Sequence, residues 1–217
     1  CAEAARVVRG LKLAMEATGA ARGLFAVKHE AEQACRALSA AIRGDATLAL
    51  APLASYYPAG DEFVLVQSLT GRNVPEGGLP RDVGVLVQNV ATAAALYEAV
   101  QFKLPLVRRI VTGSGGAVAK PQNVLAPVGV SGKELLEFCG GAKEEIAAII
   151  YGGPMMGKST HRIETPVTKG TSGILYLTAE EVHTYEEREC LRCGNCHRVC
   201  PMGLVPNEVM NYMKYGL

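Results

Sequence analysis

Four closely spaced cysteines constrain this chain more than any other feature of its sequence. Cys190, Cys193, Cys196 and Cys200 follow the spacing C-x2-C-x2-C-x3-C, and Pro201 comes directly after them. This run is typical of bacterial ferredoxin-type iron–sulfur sites, in which the fourth cysteine commonly ligates a second cluster. A zinc site, which favours two well-separated C-x2-C pairs, and a disulfide pair are the alternatives. The spacing predicts that all four thiolates are ligands of iron–sulfur clusters. Cys200 would bind the same cluster as the other three or a second one.

The other cysteines and the histidine inside the run carry less information. We expect His197 to be exposed rather than a metal ligand, because four thiolates are already available. Cys35 and Cys139 lie on apolar faces of predicted helices, where a free cysteine ordinarily serves as a small buried hydrophobe. A metal-type run in place of a disulfide framework indicates a reducing compartment, so we predict a cytoplasmic protein.

Composition limits the class of protein further. The 217 residues are 49% hydrophobic and only 6% aromatic, which is typical of an α/β or α+β core built from aliphatic side chains. A net charge of +1 without a basic stripe does not indicate a nucleic-acid partner. No apolar run approaches the roughly 20 residues of a membrane helix, so we predict no transmembrane segment. The chain starts at Cys1 rather than Met, and we expect it to be part of a longer protein.

Helix and strand patterns alternate over the first fifty residues. The predicted elements are helices over 2–18 and 30–43 and strands over 23–28 and 47–51. This order predicts a parallel α/β unit, which we extend over residues 1–103. The unit lacks a G-x-G-x-x-G turn, so its residues alone do not indicate a dinucleotide-binding fold. Later in the unit, Asp61 and Asn89 are placed to cap helices over 62–69 and from 88 to about 100.

From residue 104 the pattern changes to short strands around one helix. Strands are predicted at 106–112, near 118, at 124–128, from 149 and at 174–177, and helices over 133–139 and 206–215. Ser131 is placed to cap the first of these helices. Residues 104–150 have the outline of a small β-grasp domain. We expect 151–180 to return and pack on the α/β body, and 181–217 to form a segment that carries the cysteine run. The ionisable side chains of 179–189 predict a solvated linker before that run.

Several short motifs, taken in order along nearly the whole chain, resemble a known family. They are 57–62 (YPAGDE), 69–75 (LTGRNVP), 77–80 (GGLP), 83–92 (VGVLVQNVAT), 152–157 (GGPMMG) and 166–170 (PVTKG), followed by the cysteine run. Together they resemble the C subunit of the Rnf electron-transport complex. The flavoprotein cobalamin reductase of propanediol utilisation is similar, and the NADH-oxidising flavin subunit of respiratory complex I is more distantly so.

The resemblance implies a fold and a function. The fold would be a flavin-binding α/β domain, a soluble-ligand-binding β-grasp domain and a ferredoxin-like helical iron–sulfur segment. The function would be electron transfer between NAD(H) and iron–sulfur carriers, with FMN as the converter between two-electron and one-electron steps. The implied cofactors are a 4Fe-4S cluster and FMN, and the implied partners are other subunits of an electron-transport complex and ferredoxin-type or nicotinamide carriers. In Rnf complexes membrane subunits couple this transfer to ion pumping, which implies a peripheral position on the inner face of the cell membrane.

The resemblance also implies a flavin-contacting set of residues, which are Gly60, Asp61, Glu62, Asn89 and Thr92. The alternative is that Asp61 and Asn89 only cap their helices. Two features of the family are not found in this sequence: its glycine-rich flavin loop, which would precede these residues, and a second cysteine run, which we expect to follow residue 217 in the C subunits of Rnf complexes. We therefore expect one cluster at most. The sequence shows no nucleophile–base pair, and we predict no catalytic side chain.

Other functions stay open at this point. The chain could instead resemble cobalamin reductase or a proline-reductase-associated electron-transfer flavoprotein in its activity. A different class of function is a ligand-binding or scaffold module with few cofactors, in which the cysteines hold a structural metal.

Overall fold

The computed structural model describes residues 4–183, 185–186, 188–200 and 202–216. The chain divides into two compact units, Cys1–Phe102 with Glu187–Leu217 and Lys103–Glu186. Both units combine helices with a sheet, so the predicted mixed α/β class is confirmed.

The first unit begins with the predicted alternation of helices and strands. Its first elements are α1 (Ala4–Thr18), β1 (Gly23–Lys28), α2 (Glu32–Ala41) and β2 (Leu48–Leu53). The two strands pair in parallel, with Gly23 opposite Leu48 and Lys28 opposite Leu53. The helices cover this short sheet because their apolar faces meet it in one cluster of buried side chains. That cluster is formed by Val8, Phe25, Leu38 and Leu48.

Two further helices follow in the first unit, α3 (Glu62–Thr70) and α4 (Val90–Phe102). Gly71 ends α3 in the left-handed conformation (φ 70°), which glycine adopts without steric cost. A 3-10 turn over Pro80–Val83 lies in the segment between the two helices. The unit also contains α6 (Asn195–Val199) and α7 (Pro206–Tyr215), and α7 has the bounds that its sequence predicts.

The second unit is built around a five-stranded sheet. Its elements are β3 (Arg108–Ser114), β4 (Gln122–Pro127), α5 (Gly132–Phe138), β5 (Ala148–Tyr151), β6 (Lys158–Thr160) and β7 (Gly173–Leu177). The strand order is β4-β3-β7-β5-β6. Strands β3 and β7 are parallel, and every other neighbouring pair is antiparallel. The sheet therefore depends on pairing between β3 and β7, which are far apart in the chain.

This sheet and α5 enclose a dry core. Side chains from β3, α5 and β7 meet there, and Val111, Cys139, Ile174 and Tyr176 are each 0% exposed. Ser131 starts α5 with the predicted capping box: its Oγ accepts from Glu134 N at 3.2 Å, and its own N–H donates to Glu134 Oε2 at 2.9 Å. The hydroxyl of Tyr176 donates to the carbonyl of Gly132 at 2.6 Å, so its polar atom is satisfied inside the core.

Three expectations from the sequence differ from this arrangement. Val118, near which a strand is predicted, forms an isolated bridge to Ala142 and not a strand. Residues 151–180 contribute β6 and β7 to the sheet of the second unit and so do not form a separate segment, while their predicted packing on the α/β body stays a prediction. The reason is that β7 pairs with both β3 and β5 and so completes the sheet. Strand β6 is not predicted at all, because three residues are too few to show an alternating pattern. Of the helices in the described part of the chain, none has the length and apolar character needed to cross a membrane.

Candidate functional site

The cysteine run lies on a backbone that reverses direction twice. Arg192 has φ 54° and Gly194 has φ 73°, so both residues flanking Cys193 adopt the left-handed conformation. Gly194 is also the N-cap of α6, which carries Cys196, and Cys200 is its C-cap. Glycine adopts this conformation readily, whereas it is uncommon for an arginine. These reversals keep the cysteines on a short, tightly curved segment.

Three of the four thiols are open to solvent. Cys190, Cys193 and Cys196 are exposed, and Cys200 is partly buried. The backbone N–H of Arg192 donates to Cys190 Sγ at 3.4 Å, and Cys196 Sγ lies 3.8 Å from Asn207 Oδ1. In the first contact the sulfur accepts an N–H bond, whereas in the second the Cys196 thiol donates to the amide oxygen. The four thiols are free, and their chemistry fits an iron–sulfur cluster.

The thiols do not form a preassembled metal site. In the described ranges, no group of three or more His, Cys, Asp or Glu side chains is arranged to hold a metal ion. The ligand roles of the four cysteines therefore remain a prediction from their spacing and chemistry. Pro201, which directly follows the run, lies outside the described residues.

His197 is exposed, as its sequence context predicts. Its Nδ1 lies 2.9 Å from the carbonyl oxygen of Leu204, and since a carbonyl only accepts, Nδ1 carries the proton in this bond. The contact ties α6 to the residues just before α7. His197 thus has a structural partner in the loop that contains Cys200.

The two remaining cysteines of the described chain differ from each other. Cys139 is fully buried, as predicted, and burial raises the pKa of its thiol. A Cβ at Gly113 would lie 2.7 Å from its Sγ, so the thiol is packed directly against β3. Cys35 is only partly buried, with Sγ 3.8 Å from the carbonyl oxygen of Lys28, because α2 does not turn this position fully into the core.

The first part of the predicted flavin-contacting set lies at the start of α3. Asp61 is the N-cap: its Oδ1 accepts from the N–H groups of Phe63 at 2.9 Å and Val64 at 3.4 Å. The capping role is therefore confirmed. Glu62 is partly buried, and its carboxylate accepts no hydrogen bond from another described residue, so it can accept one from a ligand. A Cβ at Gly60 would meet nothing within 4 Å, so the space beside this glycine is open.

The second part of this set lies at the start of α4. Asn89 Oδ1 accepts from Ala91 N at 2.9 Å, and the carbonyl of Asn89 accepts from Thr92 N at 3.0 Å, so Asn89 opens the helix as predicted. Asn89 and Thr92 are exposed. Beside them Leu86 and Val90 are 59% and 52% exposed. Exposed amide and hydroxyl groups next to apolar side chains are suited to a flat ring with a polar edge, such as a flavin.

Both groups belong to the first unit, but they are not joined directly. No hydrogen bond between described residues links 60–62 to Asn89 or Thr92. Arg72, which follows α3, connects the two groups indirectly. Its Nη1 donates to the carbonyl of Val83 at 2.7 Å, and Val83 lies in the segment before α4. The geometry thus shows two accessible helix starts, and contact with flavin remains a prediction.

Sequence reasoning missed one residue that orders the end of the second unit. The segment 179–189 is predicted to be a solvated linker, but Glu181 Oε2 accepts from Gly116 N at 2.8 Å and Thr178 N at 3.0 Å. These backbone donors, that of Thr178 foremost, lower the pKa of the Glu181 carboxyl. The spacing Thr178-x-x-Glu181 resembles a capping box and could have indicated the turn.

Comparison with known proteins supports the flavin and electron-transfer interpretation. Residues 2–98 match the family model described as the Nuo51 FMN-binding domain. The chain is 42% identical to the C subunit of the proton-translocating ferredoxin:NAD(+) oxidoreductase complex of Clostridium ljungdahlii, over 93% of this chain and 44% of that protein. It is 41% identical to the C subunit of the Na(+)-translocating complex of Acetobacterium woodii, over 99% of this chain and 48% of that protein.

A second group of relatives is similar over the same region. The chain is 37% identical to a cobalamin reductase of Salmonella typhimurium, over 97% of this chain and 49% of that protein. The chain thus spans about half the length of these curated relatives. The resemblance that the sequence motifs predict is confirmed: this chain is a homologue of the C subunits of Rnf complexes and of the cobalamin reductases.

Proposed function

We propose that this chain carries electrons within an Rnf-type ferredoxin:NAD oxidoreductase complex, between a flavin or nicotinamide site and iron–sulfur clusters. The observation that carries the proposal is the 41% identity to the Acetobacterium woodii protein over 99% of the chain. Its partners would be the other subunits of the complex and ferredoxin-type or nicotinamide carriers. Its place would be the cytoplasmic side of the cell membrane, bound peripherally.

FMN is the cofactor proposed for the first unit, and the match of residues 2–98 to an FMN-binding domain supports it. In this proposal Asn89 and Thr92 hydrogen-bond the polar edge of the flavin, and Leu86 and Val90 pack beside its ring. Glu62 accepts a hydrogen bond from a flavin N–H or hydroxyl group, and Gly60 leaves room for the ligand. When bound, the flavin supplies the conversion between two-electron and one-electron transfer.

A 4Fe-4S cluster is the cofactor proposed for the cysteine run. Cys190, Cys193 and Cys196 would hold one cluster, with Cys200 as its fourth ligand or as a ligand of a second cluster. When bound, the cluster accepts and donates single electrons. The contribution of the chain is to hold the thiolates and to stabilise their charge, for example through the N–H of Arg192 that points at Cys190 Sγ.

We further propose that the second unit is a soluble-ligand-binding β-grasp domain and that 187–217 is a ferredoxin-like segment. In support of the former, the sheet has a parallel central pair, β3 and β7, with antiparallel strands on both sides. One helix, α5, packs Leu135 and Leu136 against this sheet. In support of the latter, the segment contains two short helices, of which α6 carries Cys196 and α7 follows the cysteine run.

A second candidate is an electron-transfer flavoprotein of the cobalamin reductase type, favoured by the 37% identity to that enzyme over 97% of the chain. The two candidates share the cofactors and differ in the electron acceptor. Anaerobic assays of the reduced chain against NAD+ and against a cobalamin would separate them. Faster cobalamin reduction would favour the second candidate.

The experiment that tests the proposal is a visible spectrum of the anaerobically purified chain, with analysis of iron, sulfide and zinc. We expect a broad visible absorbance that dithionite bleaches, together with iron and sulfide in equal amounts. A chain that contains zinc and shows no such band would contradict the proposal. It would favour a scaffold or ligand-binding module in which the cysteines hold a structural metal.

A further inference from the structure

Helices α1 and α4 approach each other most closely at one glycine. A Cβ added to Gly10 would lie 1.8 Å from the carbonyl oxygen of Ala93 and 2.4 Å from its carbonyl carbon, whereas real Cβ contacts stay above 3.0 Å. The atoms it would meet belong to the backbone, so no side chain can move aside. Only the absence of a side chain at Gly10 allows α1 to lie this close to α4.

The contact falls on the first turn of α4. Ala93 is 6% exposed, and its N–H donates to the carbonyl of Asn89 at 3.0 Å. Thr92 is the residue directly before it. The backbone that Gly10 touches is therefore the same turn that presents Asn89 and Thr92 to solvent. A displacement of this turn would move both side chains with it.

Further contacts hold the same pair of helices along their length. Arg6 Nη1 lies 2.7 Å from Glu98 Oε1, and the guanidinium of Arg9 lies 5.8 Å from the ring centre of Tyr97. As residue numbers rise along α1 they fall along α4, so the helices run antiparallel. The polar contacts lie toward the C-terminal half of α4, and Gly10 supplies the contact at its N-terminal half.

Glycine in the middle of a helix weakens it relative to alanine, so its presence there calls for a packing reason. We propose that Gly10 is a positioning residue for the flavin: it lets α1 seat the first turn of α4 and thereby sets where Asn89 and Thr92 meet the ligand. This inference rests on the proposed FMN site in the first unit. A binding site of this kind tolerates displacements of only about 0.5 Å. The side chain of an alanine at position 10 would push α4 away by about 1 Å or more to relieve the overlap.

The test is the Gly10→Ala variant, with Gly23→Ala as its matched control. A Cβ at Gly23 would also overlap its neighbours, at 2.8 Å from Leu11, Met15 and Leu48, but these are side-chain ends in the core beside β1. The control therefore presses on flexible side chains of α1 and β2, and none of its three nearest atoms belongs to α4 or to backbone. Each purified chain, freed of FMN, is titrated with FMN and followed by the quenching of flavin fluorescence, and its folding is checked by circular dichroism.

We expect Gly10→Ala to bind FMN at least tenfold more weakly than the wild type, and Gly23→Ala to stay within twofold. Hydrogen exchange should rise at the amides of residues 90–93 in Gly10→Ala and stay unchanged there in the control. A folded Gly10→Ala chain with wild-type affinity would overturn the inference and leave the proposed function intact. A wild-type chain that binds no FMN would overturn the proposed flavin site itself.

A second variant keeps the inference testable if Gly10→Ala does not fold. Glu98→Gln removes the charge that pairs with Arg6 and loosens the same two helices without any overlap. We expect FMN to bind at least twofold more weakly to this variant. Unchanged affinity in folded Glu98→Gln, together with failure of Gly10→Ala to fold, would assign Gly10 to stability alone and overturn the inference.

Discussion

In the second unit a five-stranded sheet and one helix enclose side chains that solvent does not reach, and Val111, Ile174 and Tyr176 are each 0% exposed. In the first unit the main buried cluster is formed by four residues that are 5–7% exposed, around a sheet of two strands. All the candidate cofactor residues nevertheless belong to the first unit. The unit with the shallow core is thus the one that offers accessible polar groups and thiols.

Exposed apolar side chains occur in both units, and in the first unit several of them lie at the candidate sites. Those near the helix starts and the cysteine run include Phe63, Leu86, Val90, Leu191, Met210 and Met213. Large apolar surface of this kind commonly marks binding or interaction sites. The fully buried core of the second unit predicts that it is the more stable of the two, and the exposed apolar groups of the first unit lie where the proposed cofactors would bind.

Cofactor loss should give the largest effect, and it should be confined to the first unit. We expect Cys193→Ser to lose the iron–sulfur absorbance completely, because the cysteine lies at the centre of the run and a serine hydroxyl is a poor iron ligand. The control is Cys35→Ser, which should keep the full absorbance. Iron analysis and the visible spectrum of both variants provide the measurement. Retention of the cluster in Cys193→Ser would contradict the ligand assignment.

Core truncations should reproduce the difference in depth between the units. We expect Ile174→Ala to lower the free energy of unfolding by about 4 kcal/mol, because the side chain is fully buried and its loss leaves a cavity. Leu48 is 7% exposed in the core of the first unit, so Leu48→Ala should lower the free energy of unfolding by only about 2 kcal/mol. Urea unfolding followed by circular dichroism measures both. An equal or larger loss for Leu48→Ala would break the comparison.

Replacement of the N-cap of α3 should give a smaller effect and separate its two possible roles. Asp61→Ala removes the acceptor of two N–H groups and should cost about 1 kcal/mol of stability. Asp61→Asn keeps an oxygen acceptor and should retain nearly all of the wild-type stability. The same pair of variants, titrated with FMN, tests the flavin role. Equal destabilisation by both substitutions would show that the charge, rather than the cap, matters.

The smallest effect should come from Glu181, and it should depend on pH. Hydrogen bonds from Thr178 N and Gly116 N lower the pKa of this carboxyl in the folded chain below its ordinary value. The stabilisation is therefore complete above the unfolded pKa of roughly 4.3 and is lost as the pH falls through the lower folded pKa. We expect Glu181→Gln to be less stable than the wild type at pH 7, with the difference shrinking at pH 3.

The matched control for this prediction is Glu180→Gln. Glu180 is the neighbouring residue and accepts no hydrogen bond from the described residues, so its substitution should leave thermal unfolding unchanged at both pH values. A difference between wild type and Glu181→Gln that grows on acidification would contradict the assigned sign.

Local features of the fold could be predicted from the sequence, whereas long-range ones could not. The bounds of β1 and α7 and the caps at Asp61, Asn89 and Ser131 follow from residue type and spacing within a few positions. The pairing of Thr112 with Gly173 joins distant segments, and no periodicity in either strand indicates its partner. The same limit explains why β6 and β7 could not be assigned from the sequence to the sheet of the second unit.

At the candidate site, too, local features could be predicted from the sequence and long-range contacts could not. The chemistry of the four thiols could be predicted from their spacing, because ligand type and loop length are local properties. The contact between Gly10 and Ala93 could not, since it depends on two helices that meet far apart in sequence. The contact of His197 with the Leu204 carbonyl and the bond from Gly116 N to Glu181 likewise became visible only in three dimensions.

The central claim is that flavin and iron–sulfur sites in this chain exchange electrons. The test loads the chain with its cluster, reduces it with dithionite, removes the reductant by anaerobic gel filtration, and adds half an equivalent of oxidised FMN, because one cluster supplies one electron and full reduction of FMN takes two. We predict that the visible flavin band of the wild type bleaches as the cluster is oxidised, and that the Cys193→Ser chain leaves the band unchanged. A wild-type chain whose reduced cluster persists beside fully oxidised FMN would contradict the account.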